Sequence, residues 1–130
     1  MSTSVESKKT LDSQALPLRE YIQSIGHTQD EYVIQKVSEV CQPIIEDIIR
    51  NHLKTLKTYT GIFDFEVQAA TNANKAVEKV VEEKGETLEG FWKTNESDFK
   101  QHGFSEEIFW TCVEWVPTRQ ITVLLRRHEI

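Results

Sequence analysis

The chain has 130 residues, 38% hydrophobic and 28% charged, with 21 Asp and Glu against 15 Lys and Arg for a net charge of −6. That length suits one domain, which buries roughly two-thirds of its unfolded surface and so needs neither disulfides nor metal to fold. The acidic balance argues against direct binding to nucleic acid or to an anionic membrane, since phosphate contacts need clustered Lys and Arg.

Cys41 and Cys112 are the two cysteines, and both sit in apolar stretches. Their separation fits neither a disulfide framework nor a zinc site, and two reduced, buried thiols are expected. No apolar leader region opens the sequence, and no apolar run approaches the roughly 20 residues of a membrane span. The expected location is cytoplasmic.

Residues Met1 to Gln14 are rich in Ser, Thr and Lys and poor in large apolar groups. They cannot bury enough surface to offset their ordering entropy, so 1–14 reads as a flexible tail before a single domain over 15–130. Pro17 then suits the first turn of a helix over Pro17 to Ile25, with Gly26 just past its end. Thr28-Gln29-Asp30-Glu31 reads as a capping box opening a long helix. Ile34, Val37, Cys41, Ile44 and Ile48 recur at helical spacing along it. Pro43 interrupts that pattern and predicts a kink or two successive helices, and Gly61 ends it.

The period then shifts to two. Phe63, Phe65, Val67 and Ala69 alternate with Asp64, Glu66 and Gln68, which predicts a half-buried strand. Thr71 is placed to cap a helix over Asn72 to Lys84, its apolar face formed by Ala73, Ala76, Val77 and Val80, with Gly85 ending it. Residues Glu86 to Phe104 look irregular, apart from a short helix over Glu96 to His102 closed by Gly103.

Two β-branched and aromatic runs end the chain, either side of Pro117-Thr118-Arg119. They predict an antiparallel hairpin with a three-residue loop. Its odd positions, Phe109, Val113, Trp115, Ile121, Val123 and Leu125, would face the core. Its even positions would place Trp110 opposite Arg126, Glu114 opposite Thr122, Cys112 opposite Leu124 and Ile108 opposite His128. The expected fold class is therefore α+β: a small two-layer domain with N-terminal helices, one long and kinked at Pro43, on one face of a three-stranded, mostly antiparallel sheet.

The motif content excludes most chemistries. The five glycines are isolated, so no phosphate-cradling loop exists, and no two of the four histidines stand at metal-binding spacing. No metal and no cofactor is expected. Cys112 with His128 is the one nucleophile–base pair that the hairpin could assemble, and Glu66 with Glu114 the one carboxylate pair. Neither has surroundings that would activate it, and an enzyme is not the expected reading.

A binding role is. Trp and Arg dominate interaction hot spots, and the hairpin's outer face carries both. The expected binding residues are Trp110, Arg126, Glu114, His128, Arg119 and Arg127. The leading expectation is a non-enzymatic interaction module, an adaptor, inhibitor or assembly factor that binds a protein partner or a second copy through this face. A second is a site for a nucleotide or other small organic anion held by Arg119, Arg126 and Arg127 beside an aromatic ring. A third is an acidic surface over Glu78 to Glu107 that mimics nucleic acid.

Overall fold

The computed structural model describes residues 18–61 and 64–130, and every regular element among them is a helix. In chain order these are α1 (Leu18–Gly26), α2 (Glu31–Asn51), α3 (Leu53–Leu56), α4 (Phe65–Glu83), α5 (Gly85–Gln101) and α6 (Glu106–Arg126). The expected α+β class is corrected: no strand, sheet or hairpin occurs among the described residues. The expected tail over 1–14, Pro17 and Phe63 lie outside them.

The N-terminal half follows its sequence pattern closely. Gly26 ends α1, and α2 carries the expected apolar stripe. Its cap is two positions later than the capping box implied. Asp30 is the N-cap and accepts from the backbone N–H groups of Tyr32 at 2.9 Å and Val33 at 3.2 Å. Thr28 supports that turn by accepting from Asp30 N at 3.1 Å. Pro43 lies exposed inside α2 without ending it. The break comes instead at His52, whose N–H closes α2 on the Ile48 carbonyl at 2.8 Å before the single turn of α3.

From Phe65 to Ala69, the expected strand is the start of α4. Asp64 accepts from Val67 N at 2.9 Å, as an N-cap side chain does, and the helix runs on through Thr71. Thr71 caps nothing; its hydroxyl donates to the Val67 carbonyl one turn back. Alternation over four apolar residues is too short a signal to outweigh a capped helix that buries Ala69, Ala73, Ala76, Val77 and Val80 on one side. Gly85 opens α5 rather than merely ending the helix before it, and the stretch expected to be irregular is helical to Gln101. His102 and Gly103 do close it, Gly103 at φ +73°, where a glycine avoids the left-handed strain that a side chain brings.

The expected hairpin is the single helix α6. Ser105 caps it by accepting from Ile108 N at 3.3 Å, and Glu106 and Glu107 sit in the first turn, where acid complements the helix dipole. Its buried residues Phe109, Cys112, Val113, Val116, Ile121, Leu124 and Leu125 recur at spacings of three and four, not two. Pro117 is buried within it and has no N–H for the Val113 carbonyl, yet the helix continues for nine more residues to Arg126. Packing on several sides stabilises α6 against that loss and against its many β-branched residues.

α6 is the central element, packed against α4, α1 and α2. It runs antiparallel to α4: Asn74 meets Thr118, and the Phe65 ring stacks near His128 at 5.2 Å. α1, α2 and α6 converge at Cys112, whose carbonyl accepts from the Cys41 thiol at 3.7 Å and whose Sγ would lie 3.1 Å from a Cβ on Gly26. Next to this junction, Phe99 is the hub of an aromatic cluster, with ring centroids 5.2 Å from Trp92, 5.4 Å from Phe104 and 5.8 Å from Phe109.

Candidate functional site

Because α6 turns about 100° per residue, the side chains expected to share one sheet face are distributed around it. Trp110 and Arg126 are sixteen positions apart, hence about 24 Å along the axis and on nearly opposite sides. The cross-strand pairing of Trp110 with Arg126 does not occur. Trp110 instead donates from its indole N–H to Glu106 at 3.1 Å within α6, and Glu114 follows one turn after it on that side. Arg127 is the C-cap residue of α6. His128, at φ +56°, stacks on Phe65 beside a second cleft of about 450 Å³ formed with Lys57, Tyr59, Leu125 and Ile130.

Arg119 and Arg126 do come together, and with a different aromatic. They line a cleft of about 310 Å³ between α1, α4 and α6 with Trp115, Thr118, Thr122, Ile25 and Ala70. Trp115 was expected in the core but is 46% exposed, the largest apolar side chain so placed among the described residues. Cys112 and Leu124, expected on the wet face, are buried instead.

Along α6 the cleft residues stand at i, i+3, i+4, i+7 and i+11, a row about 16 Å long on one side of the helix. The threonines form its floor. Thr118 donates its hydroxyl to the Glu114 carbonyl at 2.7 Å, and Thr122 donates to the Thr118 carbonyl at 2.6 Å. Asn74 of α4 donates to Thr118 Oγ1 at 3.4 Å. Both hydroxyls are thus committed within the protein, leaving the methyl groups, with Ile25 and Ala70, to make an apolar surface. The guanidinium groups of Arg119 and Arg126 form no ion pair among the described residues. They present two positive charges beside an aromatic ring on an otherwise acidic chain.

The catalytic pairs weighed from sequence are not assembled. Burial pushes the Cys112 thiol up to about 12 and holds that of Cys41 well above its ordinary value, so neither is a ready nucleophile. His128 lies past the C-terminal end of α6, which is itself about 21 Å along the axis from Cys112. Glu66 lies two turns before Asn74 on α4, and Glu114 one turn before Thr118 on the antiparallel α6, which separates them by about 18 Å. Among the described residues no group of three His, Cys, Asp or Glu is placed to hold a metal ion. None of the described helices is long and apolar enough to cross a membrane.

A helical period applied to residues 106–126 finds the Trp115 row, because 115, 119 and 126 fall among the positions left facing outward once the apolar stripe is assigned to the core, with 122 beneath them. No family model, no curated protein and no solved structure matches this chain, so the row's chemistry stands on its own residues.

Proposed function

We propose that this protein is a non-enzymatic helical interaction module that docks a protein partner along the Trp115–Arg119–Arg126 row of α6. The carrying observation is a half-exposed Trp115 in line with two arginines that have no acidic partner among the described residues. Trp and Arg are the residue types most enriched among interface hot spots, and an apolar floor rimmed by charge matches the layout of a binding surface. Self-association through this row is disfavoured, since two copies meeting face to face would bring four guanidinium groups together. Two buried thiols, Cys41 and Cys112, fit a cytoplasmic setting, where they would stay reduced.

Affinity capture with the tagged full chain tests the reading. Comparison would be made between the unaltered protein, a Trp115→Ala/Arg119→Glu/Arg126→Glu variant, and a Lys93→Glu control on the exposed side of α5. A partner lost by the triple variant and kept by the control is expected. Identical captured sets for all three would remove the proposal.

One observation favours a second reading, a small organic anion. The cleft volume of about 310 Å³ lies at the lower end of the range for small-molecule sites, roughly 300–1,000 Å³. A ring stacked on Trp115 with its anionic group on Arg119 or Arg126 would fill it. A true ligand raises the melting temperature with its concentration. No rise with millimolar nucleotides or aromatic carboxylates would exclude those ligands.

A further inference from the structure

Resting on the docking role proposed above, we infer that the occupant of the row is an acidic amphipathic helix carrying two carboxylates at i and i+7. The cleft floor supplies the first argument. Thr118 and Thr122 have given their hydroxyls to carbonyls of α6 itself, and Ile25 and Ala70 add only apolar surface. A partner in extended conformation adds to an exposed strand edge by main-chain hydrogen bonds, and this helical floor presents no such edge. A helix satisfies its own backbone, so it can lie on an apolar floor at no polar cost.

The charges supply the second. Arg119 and Arg126 are seven residues apart, about 10 Å along α6. Two carboxylates at i and i+7 of a partner helix have the same spacing, whether that helix runs parallel or antiparallel. The apolar residues between them, at i+3 and i+4, would then face Thr122, and an apolar residue one turn beyond the carboxylate on Arg119 would face Trp115. The net charge of −6 sharpens this choice. It repels an acidic helix from the rest of the surface and leaves the arginine row as the place where it can dock.

The test uses the full chain labelled with ¹⁵N and follows the Trp115 indole N–H and the Arg119 and Arg126 Nε–H signals. The first probe is a synthetic helical peptide of roughly five turns, with Leu on one face and two Glu at i and i+7 beside it. The second has the same composition with the Glu at i and i+5, which puts them on different sides. The third has Lys in place of both Glu, and the fourth is a nucleoside diphosphate. The first peptide is expected to shift all three signals and to bind roughly two- to fivefold more tightly than the second, the worth of the one exposed ion pair that the second cannot form. The Arg119→Glu/Arg126→Glu variant should lose it and take up the Lys peptide instead. Equal binding of the two Glu peptides, silence of the three signals, or tighter binding of the nucleoside diphosphate overturns the inference. Silent peptides together with partner capture that still depends on Trp115 would leave a docking surface for a different occupant, whereas capture that ignores the row removes both readings.

Discussion

His102 donates from Nδ1 to the Asp30 carboxylate at 2.8 Å, so the residue that closes α5 holds the residue that opens α2. The His102 ring also stacks on Tyr32 at 4.5 Å. This one contact fastens two helix ends far apart in sequence.

The Asp30 contact makes stability pH-dependent. The His102 hydrogen bond, aided by the N–H groups of Val33 and Tyr32, outweighs burial and holds the Asp30 carboxyl below its ordinary value. A carboxylate depressed on folding contributes stability that is present above its unfolded value, near 3.9, and is lost as pH falls through the folded one. Asp30→Asn should unfold at lower urea than the unaltered protein at about pH 6, and the gap should narrow towards about pH 2.5. Parallel midpoints over that range would contradict the contact's role.

Asn72 is the polar pin of the α3–α4 turn. Its side-chain amide donates to the Leu56 carbonyl at 3.0 Å and the Thr58 carbonyl at 2.9 Å, and its oxygen accepts from Gln68 at 3.1 Å. Asn72→Ala would leave these groups without their partner, at about 2 kcal/mol. Hydrogen exchange should show residues near α3 opening more often than α6. Unchanged exchange there would sink this account.

Gly26 and Gly90 should respond to alanine with opposite signs. A Cβ at Gly26 would meet Cys112 Sγ at 3.1 Å and the Phe104 ring at 3.4 Å, whereas one at Gly90 meets nothing within 4 Å. Gly26→Ala should lose about 1 kcal/mol through crowding of the three-helix junction. Gly90→Ala, inside α5, should gain about 0.5–1 kcal/mol from helix propensity. Chemical denaturation of the two variants reads both.

Phe99 is wholly buried at the hub of the aromatic cluster. Phe99→Ala should cost about 3–5 kcal/mol, and Trp92, whose ring stacks on it, should shift its emission towards the red. A loss below about 1 kcal/mol would mean the cluster repacks around the gap.

Trp115→Ala and Arg119→Gln should behave otherwise. Neither side chain is in the core, so each should change stability by no more than about 0.5 kcal/mol while altering partner capture. Unfolding comparable to that of Phe99→Ala would place Trp115 in the core after all.

The reach of the sequence differs between the two halves of the chain. In α2 the apolar residues are spaced among polar ones, so only a helical period fits and the stripe from Ile34 to Ile48 is legible. In α6 the run from Ile108 to Leu125 is apolar or β-branched at most positions, and a period of two fits it almost as well as one of 3.6. The β-branched content and Pro117 then favour a hairpin, because propensity cannot register burial on several sides. A signal for the right answer was present: Gly103-Phe104-Ser105-Glu106-Glu107 is a helix stop followed by a helix start. The same holds for Asp64 ahead of Glu66 at the start of α4. The site suffered from the wrong period rather than the wrong residue types. Arg119 and Arg126, two of the expected binding residues, do line one cleft, but parity pairs Arg126 with Trp110 and hides Trp115 in the core.

The alternation of roles around α6 also bears on how this protein can change over evolutionary time. Phe109, Val113 and Ile121 are bound by the shape of the interior, so drift there is punished by unfolding. Trp115, Arg119 and Arg126 are free of that constraint although they share the same helix. Under the proposed docking role, a lineage could exchange one partner for another by substituting at these few positions, with the scaffold untouched.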